Sequence, residues 1–388
     1  MQSSQHDLIV VGGGVAGAAA ALRAAQYGLS LAWVLGDKES SRASRGRYVH
    51  EIDNMIGVHP GVLTSKLAKV LRAEPEALEK ISAAELVIGT QDLIDNVVER
   101  IEEDFLDTTE LVHERAVHAR QEQERFVVEL GEGGQVEGGS LVLATGVMDL
   151  QPPIKKTLPS GKLVDDIRWV FPWANWGRLL YCIRCEGHMT RGTQVAVIGS
   201  SETTAQIAMM LHERYGVGVV ILTNDRPLEA GERSQALLEA YGIEILRERI
   251  VDIYDLEPDA EPPAKKPRKG TELHGLVLES GERVPARYAM VAMGLHRVYN
   301  ELAEELGAEL EGGDLAQEQR HVLIEDATAE TSVRGLFAVG DMGRRRDGGP
   351  LMKQVYTAQE YAVRAVDTID RRRRARHRRE VLGEPERV

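Results

Sequence analysis

Residues 7–35 place the strongest constraint on what this chain can fold into. Asp7-Leu8-Ile9-Val10-Val11 is a short apolar run, Gly12-Gly13-Gly14-Val15-Ala16-Gly17 follows without a break, an alanine-rich stretch continues to about Tyr27, and a second apolar run covers Leu29 to Leu35. The order predicts strand, glycine turn, helix and strand, the context in which a G-x-G-x-x-G spacing marks a dinucleotide site. Gly12 permits the tight turn, Gly14 lets the backbone approach a pyrophosphate, and Gly17 lets the helix close on the strand. The acid expected at the end of the second strand is displaced. Gly36 stands in its place and Asp37 follows, which makes Asp37 the candidate for the ribose.

A second strand, turn and helix begins at Gln194, but Ser201 occupies the place of the second glycine and Thr204 that of the small third residue. A side chain at Ser201 projects into the space a pyrophosphate needs. Beyond the next strand, Asn224-Asp225-Arg226-Pro227-Leu228-Glu229 sets a single arginine between two acids, a poor cradle for a 2′-phosphate, while Asp225 is a candidate for the ribose of NADH, so NADPH is disfavoured more firmly than NADH.

Between the two turns lies Cys182-Ile183-Arg184-Cys185, which holds both cysteines of the chain. Thiols three apart close a small reducible ring, and a helix starting there lowers the pKa of the attacking thiol. A zinc site with His188 as third ligand is the competing reading, and no second Cys or Cys/His pair lies nearby to complete it. No metal is expected. Trp169, Trp173 and Trp176 precede the cysteines at helical spacing; they are either core or a flat aromatic wall beside the redox pair.

The remaining signals are coarser. The stretch from Leu63 to about Phe105 reads as helical, with an apolar stripe from Ile94 to Phe105; Gln151-Pro152-Pro153 marks a domain boundary, and Glu257 to Gly270 an exposed Pro/Lys-rich loop. Leu141 to Ala144 reads as a buried strand ending at Thr145-Gly146. Gly335 to Val339 leads into Gly340-Asp341, an acid placed for sugar hydroxyls, and Lys353-Gln354 opens a helix whose start can face a carbonyl or phosphate.

A formal charge of −14 argues against nucleic-acid binding. Positive charge gathers at Arg344 to Arg346 and in the run Arg371 to Arg379, either a solvated helix end or a docking patch for an acidic partner. Two cysteines exclude a secreted disulfide scaffold, and the absence of a long apolar run or a cationic leader predicts a soluble, cytoplasmic protein without membrane contact.

Taken in order, these motifs resemble the low-molecular-weight thioredoxin reductases. The likeness runs from about Asp7 to Ile369 and rests on the fingerprint Gly12 to Gly17, Ala144-Thr145-Gly146, Cys182-x-x-Cys185 followed by acid and glycine, the turn at Gly199, and Gly340-Asp341 with Gln354. It implies an α/β fold of two Rossmann-like three-layer domains, the smaller inserted into the FAD domain. Residues 1–150 and 295–370 would form the FAD domain, 151–294 the inserted domain, and 371–388 a basic tail. Gly12, Gly14, Gly17, Asp37, Asn54, Gly146, Gly340, Asp341 and Gln354 would hold FAD, with Asn54 beside the isoalloxazine. Cys185 would be the flavin-proximal thiol, Cys182 the thiol that attacks the substrate, and Glu186, where the family usually has aspartate, the proton donor.

The spoiled second fingerprint resembles branches that have lost the NADPH site: ferredoxin-dependent flavin thioredoxin reductases, deeply rooted cyanobacterial reductases and diflavin-linked disulfide oxidoreductases. The expectation is a homodimeric FAD-dependent disulfide oxidoreductase acting on a thioredoxin-like protein or small disulfide. Ferredoxin, flavodoxin or a second flavin would supply the electrons. Two alternatives stay open, a dithiol oxidase that passes electrons to oxygen and a non-catalytic flavin redox sensor.

Overall fold

Leu8, Ile9, Val10 and Val11 are nearly inaccessible to solvent, as a strand must be when both faces of its sheet are covered. They lie in β1 (Gln5–Val11), which runs into α1 (Val15–Gln26) and then β2 (Leu31–Val34). The computed structural model describes residues 5–42, 44–49, 51, 52, 54, 55, 88–158, 160–254, 272–349 and 351–384. The expected loop at 257–270 and the first part of the helical stretch from Leu63 lie outside them, whereas the stripe around Ile94 belongs to helix Thr90–Asp104.

The chain divides into two compact units, one of residues 1–47, 55–148 and 297–388, the other of 48–54 and 149–296. In the first unit, β1 pairs in parallel with β2 on one side and with Gln135–Leu143 on the other, Val10 lying opposite Trp33 and Val142. Strand Leu336–Ala338 pairs in parallel with the end of Gln135–Leu143, while Arg125–Leu130 pairs antiparallel with its beginning. One long strand thus joins the parallel sheet to an antiparallel extension completed by Ala116–Glu122.

The alanines Ala18, Ala20, Ala21, Ala24 and Ala25 bury one face of α1 with little bulk. The 28-residue helix Val355–Leu382 buries Tyr361, Ala362, Ala365, Val366 and Ile369 and joins α1 through Asp367 Oδ1, which accepts from Arg23 Nε and the Tyr27 hydroxyl at 3.2 and 2.8 Å. Arg371 to Arg379 continue this helix, which ends at left-handed Gly383.

The second unit is built on five parallel strands in the order Leu179–Leu180, Tyr288–Val291, β3 (Gln194–Ile198), β4 (Gly218–Leu222) and Glu244–Leu246. Between β3 and β4 runs α2 (Glu202–Tyr215), whose Ala205, Ala208, Met209 and Leu211 enter a core with Val195, Val197, Ile221 and Met290. The fold is thus mixed α/β with two Rossmann-like sheets.

Candidate functional site

The turn after β1 is shaped by close approach. A Cβ on Gly12, which has φ +135°, would lie 2.2 Å from the Ala144 carbonyl oxygen, and one on Gly17 would lie 1.9 Å from the Gly12 oxygen. Gly14 differs, because a Cβ there would meet no described atom within 4 Å. It caps α1 in extended conformation, without a side-chain cap and with no acid in the first turn. The outcome is an open cradle at the positive end of a 12-residue helix, which fits a dinucleotide pyrophosphate.

Other predicted residues of the first unit gather here. A Cβ on Gly340 (φ +74°) would come within 2.9 Å of the Ala16 Cβ, so the Gly340-Asp341 turn lies against the start of α1. Gly146, at φ +73°, follows Ala144, which touches Gly12. Gln354 is buried at the N-cap of Val355–Leu382, and Lys353, Thr357 and Ala358 line a cleft with Gly340 and Asp341.

Two predicted sugar ligands have protein partners. Asp341 pairs with Arg45 at 2.6 Å. Asp37 Oδ1 accepts from both the amide and the hydroxyl of Ser40 at 2.7 Å, chiefly the amide bond holding its carboxyl below the usual range. Asn54 falls in the second compact unit and is exposed.

That second unit carries the cysteines. Strand Leu179–Leu180 ends two residues before Cys182, which caps the helical turn Ile183–Glu186, and the Cys182–Cys185 disulfide spans 5.2 Å between Cα atoms. The Cys185 amide donates to Cys182 Sγ at 3.1 Å. Arg184 and His188 are exposed, whereas Glu186 is buried with Oε2 accepting from the Tyr181 and Cys182 amides at 3.0 and 3.1 Å. Both cysteines are oxidised to each other, and the described residues contain no cluster able to hold a metal.

An aromatic layer lies beside this turn, and among the described residues its ring contacts are made by tyrosine and phenylalanine. Trp169 and Trp173 are core residues, Trp169 donating to the Pro152 oxygen at 2.8 Å. Tyr48 instead stacks on Phe171, with centroids 5.3 Å apart and planes within 17°, and lies 6.4 Å from the Tyr181 ring. The Tyr181 hydroxyl donates to Gln151 Oε1. Burial, reinforced by Asp149, pushes this phenol far above its ordinary pKa, so it stays protonated. Tyr48 was not legible from sequence, since nothing near it announces a partner more than a hundred residues away.

The second nucleotide-type turn closes on itself. Ser201 Oγ accepts from the Thr204 amide at 3.4 Å, Thr204 Oγ1 accepts from the Ser201 amide at 3.1 Å, and the same hydroxyl donates to the Ala292 oxygen at 2.9 Å. The Glu202 carboxylate sits in the first turn of α2, accepting from the Gly231 amide at 2.8 Å and the Ser234 hydroxyl at 2.6 Å. Asp225, the candidate for an NADH ribose, is paired with Arg249. The start of α2 is therefore capped by its own side chains, with an acidic residue in its first turn, and Asp225 is held by Arg249.

The arginine clusters separate equally clearly. Arg344 pairs with Glu311, Arg345 with Asp347 and Asp326, and Arg346 with Glu325 and Glu309. In the C-terminal helix Arg372, Arg373 and Arg374 pair with Glu330, Asp7 and Asp370. Arg371, Arg376 and Arg378 are exposed and have no ion pair among the described residues. No described helix is long and apolar enough to cross a membrane.

A family profile described as pyridine nucleotide-disulphide oxidoreductase matches residues 6–362. Among solved structures, an oxidoreductase from Agrobacterium tumefaciens is 21% identical with a TM-score of 0.64, covering 98% of this chain and 100% of its own. A thioredoxin reductase from Streptococcus pyogenes is 15% identical with a TM-score of 0.68, covering 96% and 100%. A thioredoxin reductase from Giardia duodenalis is 18% identical with a TM-score of 0.65, covering 95% and 99%. At these identities the likeness concerns the fold. No curated protein matches the sequence.

Proposed function

Because the chain belongs to the pyridine nucleotide-disulphide oxidoreductase family, we propose that it is an FAD-dependent disulfide oxidoreductase of the thioredoxin reductase type whose flavin is not reduced by NADPH. The observation that carries the reading is the Cys182–Cys185 disulfide at the start of a helical turn with both cysteines only half-buried. The choice of donor rests on the self-capped start of α2, with Ser201 and Thr204 bonded to each other and Glu202 in the first turn.

The Gly12 to Gly17 turn with Gly340, Asp341 and Gln354 would hold FAD, which when bound and reduced would supply the two electrons that the disulfide needs. Reduction breaks the Cys182–Cys185 bond and leaves two thiols. Cys182 Sγ then attacks the substrate disulfide, forming a mixed disulfide and expelling one substrate sulfur as thiolate. Attack by Cys185 on Cys182 restores the original bond and releases the second substrate sulfur. Exposed Arg184 favours the thiolate form of Cys182.

The substrate is a thioredoxin-like protein or small disulfide, met in a reducing compartment such as the cytoplasm, and the enzyme works as a homodimer. Its electrons come from an acidic carrier such as ferredoxin or flavodoxin, or from a second flavin. Of the two basic clusters, Arg371, Arg376 and Arg378 suit an acidic donor better than the internally paired Arg344 to Arg346.

The decisive variant is Cys182→Ser. It is expected to abolish turnover while FAD stays bound in native amount; full activity in this variant would sink the mechanism. Anaerobic NADPH at micromolar concentration should bleach the bound flavin only slowly, and rapid bleaching would overturn the assignment of the donor. An oxidase passing electrons from a small dithiol to oxygen needs no nicotinamide either, and hydrogen peroxide release on adding dithiols would favour it.

A further inference from the structure

The chain leaves its sheet at Leu180, so the amides of Tyr181 and Cys182 need an acceptor from outside the strand ladder. Glu186 provides it from the far end of the same turn: its Oε2 accepts from both amides, at 3.0 and 3.1 Å, while the side chain is almost wholly buried. An aspartate would place that oxygen about 1.5 Å short, one carbon–carbon bond. The extra methylene of glutamate is what lets the carboxylate fold back over its own turn.

From this geometry we infer that Glu186 is a positioning residue, clamping the backbone at Tyr181 and Cys182 and restraining the reactivity of the Cys182 sulfur, rather than a group that delivers a proton to it. The inference rests on the reading of Cys182 as the exchanging thiol. A carboxylate bound to the Cys182 amide puts negative charge beside the sulfur that must become a thiolate, and like charges disfavour each other. It also takes up a donor that would otherwise lie close to that thiolate. Among the described residues, Arg184 and His188 on the same stretch and Asp149 beside Tyr181 are further ionisable groups of the neighbourhood.

Glu186→Gln keeps an oxygen for the two amides and removes the charge. The experiment uses the reduced holoprotein and follows iodoacetamide labelling of Cys182 against pH by peptide mass spectrometry. The midpoint of labelling is expected to fall by about one pH unit, with a several-fold faster rate at neutral pH. The rising limb of the turnover–pH profile should move with it. Glu186→Asp, which keeps the charge but withdraws it from the amides, should shift the midpoint less than Gln, and it serves if the Gln variant does not fold.

An unmoved labelling midpoint in the folded variants overturns the inference. So does an unmoved midpoint accompanied by loss of a limb of the turnover profile, the mark of a proton donor. Labelling is read without turnover, so it stays informative if the proposed activity fails: that failure would show as a Cys182→Ser variant with native turnover, whatever the Glu186 variants do.

Discussion

The two nucleotide-type turns of this chain share a topology and differ in what fills the start of the helix. After β1, glycines bring backbone against backbone and leave the N-terminus of α1 open among the described residues, with no described atom within 4 Å of a Cβ on Gly14 and no acid in the first turn. After β3, Gly199 still makes the close turn, a Cβ there falling 2.5 Å from the Ala292 oxygen, but Ser201 and Thr204 cap α2 and Glu202 places a carboxylate in its first turn. On the function proposed above, the second turn keeps the strand–turn–helix topology without the ligand, local hydrogen bonds standing where the phosphate would have bonded. Strand–turn–helix geometry alone does not establish a nucleotide site, because the chemistry lies in which amides are left over.

The largest effects come from breaking the first turn. Gly17→Ala puts a methyl 1.9 Å from the Gly12 oxygen, so this variant is expected to lose FAD and to misfold, seen as a flavin-free, aggregating product. Gly14→Ala separates fold from ligand. Its backbone, at φ −86°, accepts alanine, and the new methyl meets no described atom within 4 Å. It enters only the space assigned to the pyrophosphate, where crowding costs about 1–3 kcal/mol, or roughly 5- to 150-fold in FAD affinity. A native FAD dissociation constant in that variant would break the comparison, since both turns would then be closed to phosphate.

How much of this was legible in the sequence depends on how far apart the interacting residues lie. The glycine fingerprint and the misfit of Ser201 were visible because a turn reads a few consecutive residues. That Ser201 and Thr204 would satisfy each other follows the same local logic, a capping box. Pairings between distant segments were not visible. Arg45 with Asp341, Arg344 with Glu311 and Tyr48 with Phe171 depend on a tertiary fold that brings separate stretches together. The arginine triplet looked like a surface patch for that reason, whereas its acids arrive from residues 309–326 and from neighbouring Asp347.

A smaller effect sharpens the comparison from the other side. Ser201→Ala removes one half of the cap on α2, at a cost of about 1 kcal/mol. Thermal unfolding of the second unit should move down by about 3 °C, with FAD content and the slow response to NADPH unchanged. A gain of rapid NADPH reduction on this single change would mean that the hydroxyl alone had been excluding the nucleotide, and that the Glu202 carboxylate matters less than its position suggests.

The smallest effect contrasts the two units through their buried titrating groups. In the first, His321 lies between Glu311 and Lys353, each 2.9 Å from a ring nitrogen, with Arg344 holding the other oxygen of Glu311. Lys353 donates to Nε2, so Nδ1 carries the proton that Glu311 accepts, and burial, with Lys353 adding to it, lowers the pKa of the ring. A folded pKa below the ordinary value near 6.5 means that the unfolded chain takes up the proton first as pH falls. The stability of this unit is therefore full above about 6.5 and declines on acidification below it. The second unit loses stability in the same direction at its buried carboxyl, but only at much lower pH. Asp166, bound by Arg168 and Lys156, is held far below the usual carboxylate range, and this contribution is lost only as pH falls below about 3.9. Between pH 7.5 and 5.5 the first unit should lose stability through His321 while Asp166 leaves the second unaffected, and His321→Gln should flatten the slope. Following thermal unfolding in each unit by proteolysis and mass spectrometry tests this directly. An equal decline in both, untouched by His321→Gln, would show that neither group governs the response to acid in this range.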